Sequence, residues 1–438
     1  MGPGRSVTPR VYLHTLGCPK NDADSRSLMR RLESRGGSFV DEAAEATHII
    51  INTCGFIEEA KEESIEAILS ACGRFPEKQV LVIGCLVARY REQLERGMPE
   101  VAGWFGVAGD EVDREIAHTL LGSGAGRSRR NAAPRVRRTA HAYLKISDGC
   151  DEGCTFCAIP SFKGRYRSLP TAEILREADI CLAEGARELV LVGQDTTRWN
   201  HDGLDLGGLV ELLGSDDRVR WIRVMYLQPA RVDRPFLQFM ATHSKLCGYL
   251  DIPFQHSDPE VLRLMGRHGS GGSYLSLVRL ARDMMPDVSM RSTFIVGFPG
   301  ESEIGFAHLL DFVEEARFDY AGGFVYSPEE GTAAAEIRPL VPQALAKERL
   351  NYLNGLILEV AESHHRALVG RELDVMVDIV EEGENTVAVG RTRGQAPDVD
   401  GVTYLEGQPP EGLGPGDVVR ARITAVVGYD LMGEFCAA

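Results

Sequence analysis

The sequence lacks several features, and each absence excludes something. No apolar run approaches the roughly 18 residues that a membrane span needs, so a helical membrane protein is excluded. The first thirteen residues hold no apolar segment of the kind that directs export. The expectation is a cytoplasmic protein, in a reducing compartment where thiols stay free. No low-complexity block interrupts the 438 residues, a length for two or three domains. Net positive charge is also missing: the formal charge is −16. That argues against a surface built throughout to grip nucleic acid. It favours small-molecule chemistry, or a basic protein partner drawn to the acidic surface. No nucleophile–base constellation stands out, so no catalytic side chain is expected beyond the cysteine ligands below. The eleven histidines are scattered, and the adjacent pair His364 and His365 is expected on a solvated helix.

Cysteine, by contrast, is plentiful: ten in one chain. Ten small buried hydrophobes would be the bland account, and spacing has to decide against it. Along the first 120 residues, short β-branched runs (Val11 to Leu16, His48 to Asn52, Gln79 to Gly84) alternate with helical stretches. That pattern predicts a doubly wound parallel sheet over residues 8–124. Residues 125–138 belong to a linker by composition, with six arginines between Gly122 and Arg138. Over residues 139–367 the alternation resumes. Strands are predicted at Ala142 to Ser147, Glu188 to Gly193, Trp221 to Tyr226, Tyr249 to Pro253, Met290 to Gly297 and Gly322 to Ser327. Six β/α units suggest a barrel-like sheet short of the full eight. Residues 370–437 turn to short alternating strands with Gly and Pro turns, the pattern of a small antiparallel β-barrel. From Gly370 to Cys436 this stretch holds thirteen acidic residues against five arginines and no lysine. An RNA-binding barrel should be basic.

The strongest chemical signal is Cys150-x-x-x-Cys154-x-x-Cys157, set directly after a predicted strand. Thiolates are the soft ligands that iron–sulfur clusters take. Three of them on one loop can hold three irons of a cubane and leave the fourth open to a substrate. A zinc site would want four ligands, and no fourth Cys or His stands near. A second set is dispersed: Cys18, Cys54 and Cys85 lie 31 or more residues apart, each just after one of the first three predicted strands. The carboxyl ends of parallel strands share one edge, where ligands collect, so the three can meet as a second three-cysteine cluster site. Cys72, Cys181, Cys247 and Cys436 are expected to be structural.

The spacing of the first set, with Phe156 before its last cysteine, resembles the signature of radical S-adenosylmethionine (SAM) enzymes. With both sets, the whole chain resembles the methylthiotransferase family: an N-terminal cluster domain, a partial (β/α)6 radical SAM barrel and a C-terminal TRAM domain. Leu16 to Asn21, Gly193 to Thr197, Asp251 to His256, Tyr326 to Thr332 and Ala396 to Gly401 look like its RimO branch, which modifies an aspartate of the twelfth small-subunit ribosomal protein. The resemblance implies two 4Fe-4S clusters, with SAM serving both as methyl donor and as radical source. It implies that one SAM methylates sulfur on the first cluster. A second SAM, cleaved at the other cluster, then yields the radical that opens the aspartate β-carbon. An external electron donor and a sulfur donor are implied as well. Phe156, Gln194, Asp195, Gln255, Gly297 and Glu301 are the candidates for SAM contact, Gly297 because glycine permits close backbone approach to adenine. Two alternatives stand beside this reading. One is a tRNA adenosine methylthiotransferase, which the acidic terminal barrel disfavours. The other is a non-catalytic iron–sulfur protein that binds ribosomes.

Overall fold

The computed structural model describes residues 9–121, 139–381 and 387–436. The expected linker, 125–138, lies outside them. The chain divides into two compact units. The first takes the N-terminal part together with Ala158–Gly164, and the second takes the rest.

In the first unit, β1 (Arg10–Thr15), β2 (Ser38–Phe39), β3 (His48–Thr53), β4 (Gln79–Gly84) and β5 (Gly103–Trp104) form one sheet in the order β2-β1-β3-β4-β5. Every pairing is parallel. β3 and β4 read as unbroken apolar runs because helices cover both faces. Ile49, Ile51, Val80 and Val82 pack on one side with Ile68 and Leu86, whereas Ile50, Leu81 and Ile83 pack on the other with Leu28 and Ile116. Those partners come from α2 (Glu58–Arg74) and α3 (Cys85–Gly97) on one face, and from α1 (Pro19–Glu33) and α4 (Asp110–Leu121) on the other. The sheet is doubly wound. The chain steps from β1 outward to β2, then returns past β1 to β3, so the winding reverses between β1 and β3. In such a strand order the crevice at the reversal is where ligands bind.

The second unit opens with six parallel strands in chain order. His141–Lys145, Glu188–Val192 and Trp221–Val224 form one three-stranded sheet; Tyr249–Asp251, Ser289–Val296 and Tyr320–Val325 form another. An isolated parallel bridge between Ile222 and Leu246 joins them. Among the described residues the first and last strands do not pair, so the barrel is open. The terminal segment is a closed five-stranded barrel, antiparallel at four of its five pairings. The fifth, Thr403–Glu406 with Asp430–Phe435, is parallel.

Alternate residues of the six strands point into the lumen, and at its amino end several are charged. Glu188 and Arg223 are wholly buried, Arg223 Nε donating to Glu188 Oε1 at 2.8 Å. The terminal barrel completes this floor. Arg391 donates to Glu188 Oε2 at 2.5 Å and forks onto Asp378 with two bonds of 2.8 Å. Asp400 accepts from Tyr249 Oη at 2.7 Å and from Arg291 Nε at 3.2 Å. Tyr143 Oη lies 2.7 Å from the Pro397 carbonyl oxygen and 2.9 Å from Asp398 Oδ2. Burial alone would push the Glu188 carboxyl up, but Arg391 and Arg223 outweigh it and hold it below the ordinary value. His365 departs from expectation. It is buried on the last turn of the long helix Gln343–His365, its ring 5.1 Å from that of Tyr320. Only His364 keeps substantial exposure. The helix packs along the last barrel strand, and the His365 side of its final turn faces the Tyr320 ring.

Removing one member of a buried ionic network strands the others. Arg391→Met should lower the unfolding free energy of the second unit by about 3 kcal/mol. Arg422→Met, whose ion pair with Glu372 is exposed, should cost less than about 1 kcal/mol. Denaturant unfolding of the two variants side by side measures the difference.

Candidate functional site

Cys18 follows β1 and N-caps α1, with Pro19 in the first helical turn where its missing N–H costs nothing. Cys54 follows β3, and Cys85 is the first residue of α3 directly after β4. The three expected cysteines thus share the carboxyl edge of the sheet, Cys18 and Cys54 on either side of the winding reversal. The loops are stitched by side-chain amides. Asn21 Nδ2 donates to the Leu16 and Thr53 carbonyls at 2.8 and 3.2 Å, and Asn52 Nδ2 donates to Asn21 O at 3.1 Å. Ser64 on α2 bonds both backbone groups of Cys54.

Two glycines make this crowding possible. Gly17 (φ +90°) sits so close that a Cβ there would lie 2.6 Å from Cys54 Cβ. Gly84 (φ +108°) would put one 2.4 Å from the Thr53 carbonyl oxygen. The thiols are near enough to sense one another. Burial pushes Cys54 up, with Cys18 adding to the rise. Burial pushes Cys85 up to about 12, opposed by the charge of Lys163.

The second set lies on the loop after the first barrel strand. Thr155, between the first two and the last of these cysteines, pins the loop. Its N–H donates to Met265 O at 3.0 Å, its hydroxyl to Leu264 O at 2.8 Å, and its carbonyl accepts from Ala334 N at 2.9 Å. Burial raises the Cys150 thiol, and the neighbouring Cys154 adds to that. Arg267 was not foreseen. Its guanidinium lies 3.9 Å from Cys154 Sγ and donates to Gln228 Oε1 and to Pro253 O at 3.1 and 2.7 Å. Its only sequence signal was its place shortly after the Asp251 to His256 stretch. Among the described residues no three His, Cys, Asp or Glu groups are drawn tightly enough to share one metal ion. A cubane takes one thiolate per iron, so its ligands stand wider apart than those of a single ion.

The six remaining candidates divide. Gln194 is the most telling: both atoms of its side-chain amide are buried without a hydrogen-bond partner. The Tyr326 hydroxyl is in the same condition. Phe156 meets Phe298 edge-on at 6.4 Å, and Phe298 meets Tyr326 at 4.9 Å, forming an aromatic wall beside the loop. Gln255 holds a left-handed backbone (φ +70°) while its N–H and C=O bond to the next strand, at Thr293 and Ile295. Asp195 is fully buried and engaged, accepting from Thr197 N at 3.0 Å and from Arg231 at 3.0 Å. Glu301 braces its own loop: it accepts from Gly297 N at 2.6 Å and from Arg349 at 2.7 Å. Gly297 itself has a packing reason, since a Cβ there would lie 2.5 Å from that of Ala346. Of the four other cysteines, Cys181 and Cys247 are buried, and Cys72 and Cys436 are half-buried.

Known proteins resemble this chain in sequence and fold. Residues 10–106 match an uncharacterized protein family, UPF0004; residues 144–313 match the Radical SAM superfamily; residues 369–436 match the TRAM domain. The open barrel with its cysteine loop is that of a radical SAM enzyme. Among solved structures, the radical SAM methyltransferase TsrM of Kitasatospora setae shares the fold, with a TM-score of 0.55 and 16% identity over 75% of this chain and 77% of that one. The ribosomal protein uS12 methylthiotransferase RimO of Anaeromyxobacter sp. (strain Fw109-5) is 40% identical, covering 98% of this chain and 94% of its own. That of Aquifex aeolicus (strain VF5) is also 40% identical, covering 97% of each. The chain belongs to the RimO family of methylthiotransferases.

The glycine at the end of β4 offers a test free of any ligand. Gly84→Ala should cost the first unit about 2 kcal/mol, from left-handed strain plus the Thr53 collision. It should also open Cys85 to faster labelling by a thiol reagent. Unchanged stability and labelling would mean that the loop has slack.

Proposed function

We propose that this protein is a radical SAM methylthiotransferase acting on ribosomal protein uS12, replacing a hydrogen on an aspartate β-carbon with a methylthio group. One observation carries the reading. Two three-cysteine sets, each at the carboxyl ends of parallel strands, occur in a chain alike over nearly its whole length to proteins named uS12 methylthiotransferase. Cys18, Cys54 and Cys85 would hold one 4Fe-4S cluster. Cys150, Cys154 and Cys157 would hold the other, with SAM on it. The donor sets fit, since each offers three thiolates and no fourth. The unpartnered Gln194 amide and Tyr326 hydroxyl fit too, because buried polar groups are normally satisfied and a bound SAM brings polar atoms to satisfy them.

When bound, the barrel cluster supplies the one-electron cleavage of SAM that makes an unactivated C–H bond reactive, a step outside side-chain acid–base chemistry. The protein's own part is placement. Arg267 ties the Cys154 sulfur to the Pro253 carbonyl and the Gln228 side chain. Such supporting bonds fix where a ligand atom stands. The Phe156–Phe298–Tyr326 wall keeps water from one side of the site. The Glu301 carboxylate, clamped by Arg349, holds the Gly297 and Phe298 N–H groups in place. An external electron donor and a sulfur donor complete the reaction.

The terminal barrel supports a protein target over tRNA. Each of its five arginines is already engaged: Arg371 with Asp287, Arg391 with Glu188 and Asp378, Arg420 with Asp374, Arg422 with Glu372, and Arg393 with the Ser244 carbonyl. Tracking a phosphate backbone requires cations that can be spared.

Anaerobic reconstitution should load about eight iron per chain. Replacing Cys150, Cys154 and Cys157 together by alanine should leave half of it and end SAM cleavage. Arg267→Met should speed iron loss to a chelator about ten-fold. Recombinant uS12 and tRNA offered side by side should yield methylthiolated uS12 alone; product on tRNA alone would overturn the substrate assignment.

A further inference from the structure

One buried cation has no part in the function above. Cys157 is followed directly by the short helix α5 (Ile159–Lys163), which belongs to the first compact unit. Phe162 lies beneath the Arg89 guanidinium at 5.8 Å, and Arg89 Nη1 donates to the carbonyl of Gly55, next to Cys54, at 2.7 Å. The helix is thereby fastened to α3 and to the Cys54 loop. Its last residue, Lys163, is buried, its side chain only 3% exposed, with Nζ 3.9 Å from Asp24 Oδ2. Asp24 stands on α1, the helix that Cys18 caps. Of all the charges acting on the Cys85 thiol, that of Lys163 is the largest. Helices led by two of the three cysteines therefore surround this ammonium.

A buried ammonium is expensive unless its charge is answered. Asp24 pairs with that of Lys163 at 3.9 Å, and the ammonium charge also reaches the Cys85 thiol. Three thiolates and an anionic ligand gathered at one edge repel one another strongly at the low effective dielectric of a protein interior. A fixed cation relieves that repulsion in both the empty and the ligand-bearing state, but more in the latter.

We propose that Lys163 supplies the fixed positive charge that retains an anionic sulfur ligand, a thiolate or hydrosulfide, at the site built by Cys18, Cys54 and Cys85. It acts as a positioning residue through charge. The proposal rests on those cysteines holding the first cluster, and the test separates the two. The full chain carrying Cys150→Ala, Cys154→Ala and Cys157→Ala is reconstituted so that only the first site is loaded. Methanethiolate is titrated in, and the electron paramagnetic resonance signal of the reduced protein reports its binding. Lys163→Met should weaken that affinity about ten-fold or more, and Lys163→Arg should restore most of it. Lys163→Met combined with Asp24→Asn removes both charges, and with them any penalty from a stranded carboxylate, so it stays foldable if the single variant does not. The double variant should remain weak. If it loads iron and binds methanethiolate as tightly as the parent, Lys163 serves only to pair with Asp24 and the proposal falls. If the triple-alanine parent takes up no iron, the first-cluster reading itself fails.

Discussion

The second unit is organised around a demand set by charge burial. Six inward-facing strands place Glu188, Arg223, Arg291, Tyr143 and Tyr249 toward one end of a narrow lumen. An unanswered buried charge costs several kcal/mol. The answer comes from more than a hundred residues away in sequence. Arg391, Asp398 and Asp400 reach in from the terminal barrel, and the Arg393 carbonyl accepts from Arg223 at 2.8 Å. The terminal barrel is therefore part of the floor of the larger one. The consequence reaches the other end of the lumen. Arg291 bridges Asp400 and Asp251, and Asp251 Oδ2 accepts from Tyr226 N, a residue held at φ +61°. Gln228, two residues on, is bonded to the arginine beside Cys154.

Both cysteine sets obey one rule of parallel sheets. Strand ends of one polarity gather on one edge, and loops leaving that edge can bring distant residues together. That rule made Cys18, Cys54 and Cys85 legible as a group despite their separation in sequence. It needed only three strands recognised by their β-branched runs, and β3 and β4 are as apolar as a sheet covered on both faces requires. The order of the strands was not legible. It makes Cys18 and Cys54 flank the reversal of winding, which three runs of hydrophobic residues cannot announce.

What the sequence concealed was mostly the partner of something visible. Arg267 and Lys163 are ordinary basic residues in a chain with 48 of them. Only folding brings one to Cys154 and buries the other beside Cys85. The buried face of His365 was hidden for a related reason. A helix of mixed polarity reads as solvated until the Tyr320 ring is found against its last turn. Gly297 and Glu301 were visible, and the structure adds a packing role to each. The glycine admits the Ala346 methyl group, and the carboxylate is spent on its own loop and on Arg349. Gln194 went the other way. The sequence named it from its place after a strand, but its buried, unanswered amide is visible only in three dimensions.

The same accounting locates the protein's excess negative charge. Its interior cations face interior anions: Arg391 and Arg223 face Glu188, Arg291 faces Asp251 and Asp400, and Arg349 faces Glu301. These named groups answer one another, but buried carboxylates outnumber buried cations, so the formal charge of −16 is shared between the interior and the surface. In the terminal barrel, the arginines that remain outside are tied to carboxylates of the same unit. A surface of this kind repels a polyanion over the screening length of physiological salt and attracts a polycation over the same distance. Steering acts mainly on the rate of encounter and on the exclusion of wrong partners. On the proposed reading, an acidic exterior would favour the approach of basic macromolecules, while the chemistry proposed at the two cysteine sets would be indifferent to that choice. On that reading, reaction and partner preference would be written in different residues, the one in the six cysteines and the other in the charge of the exterior.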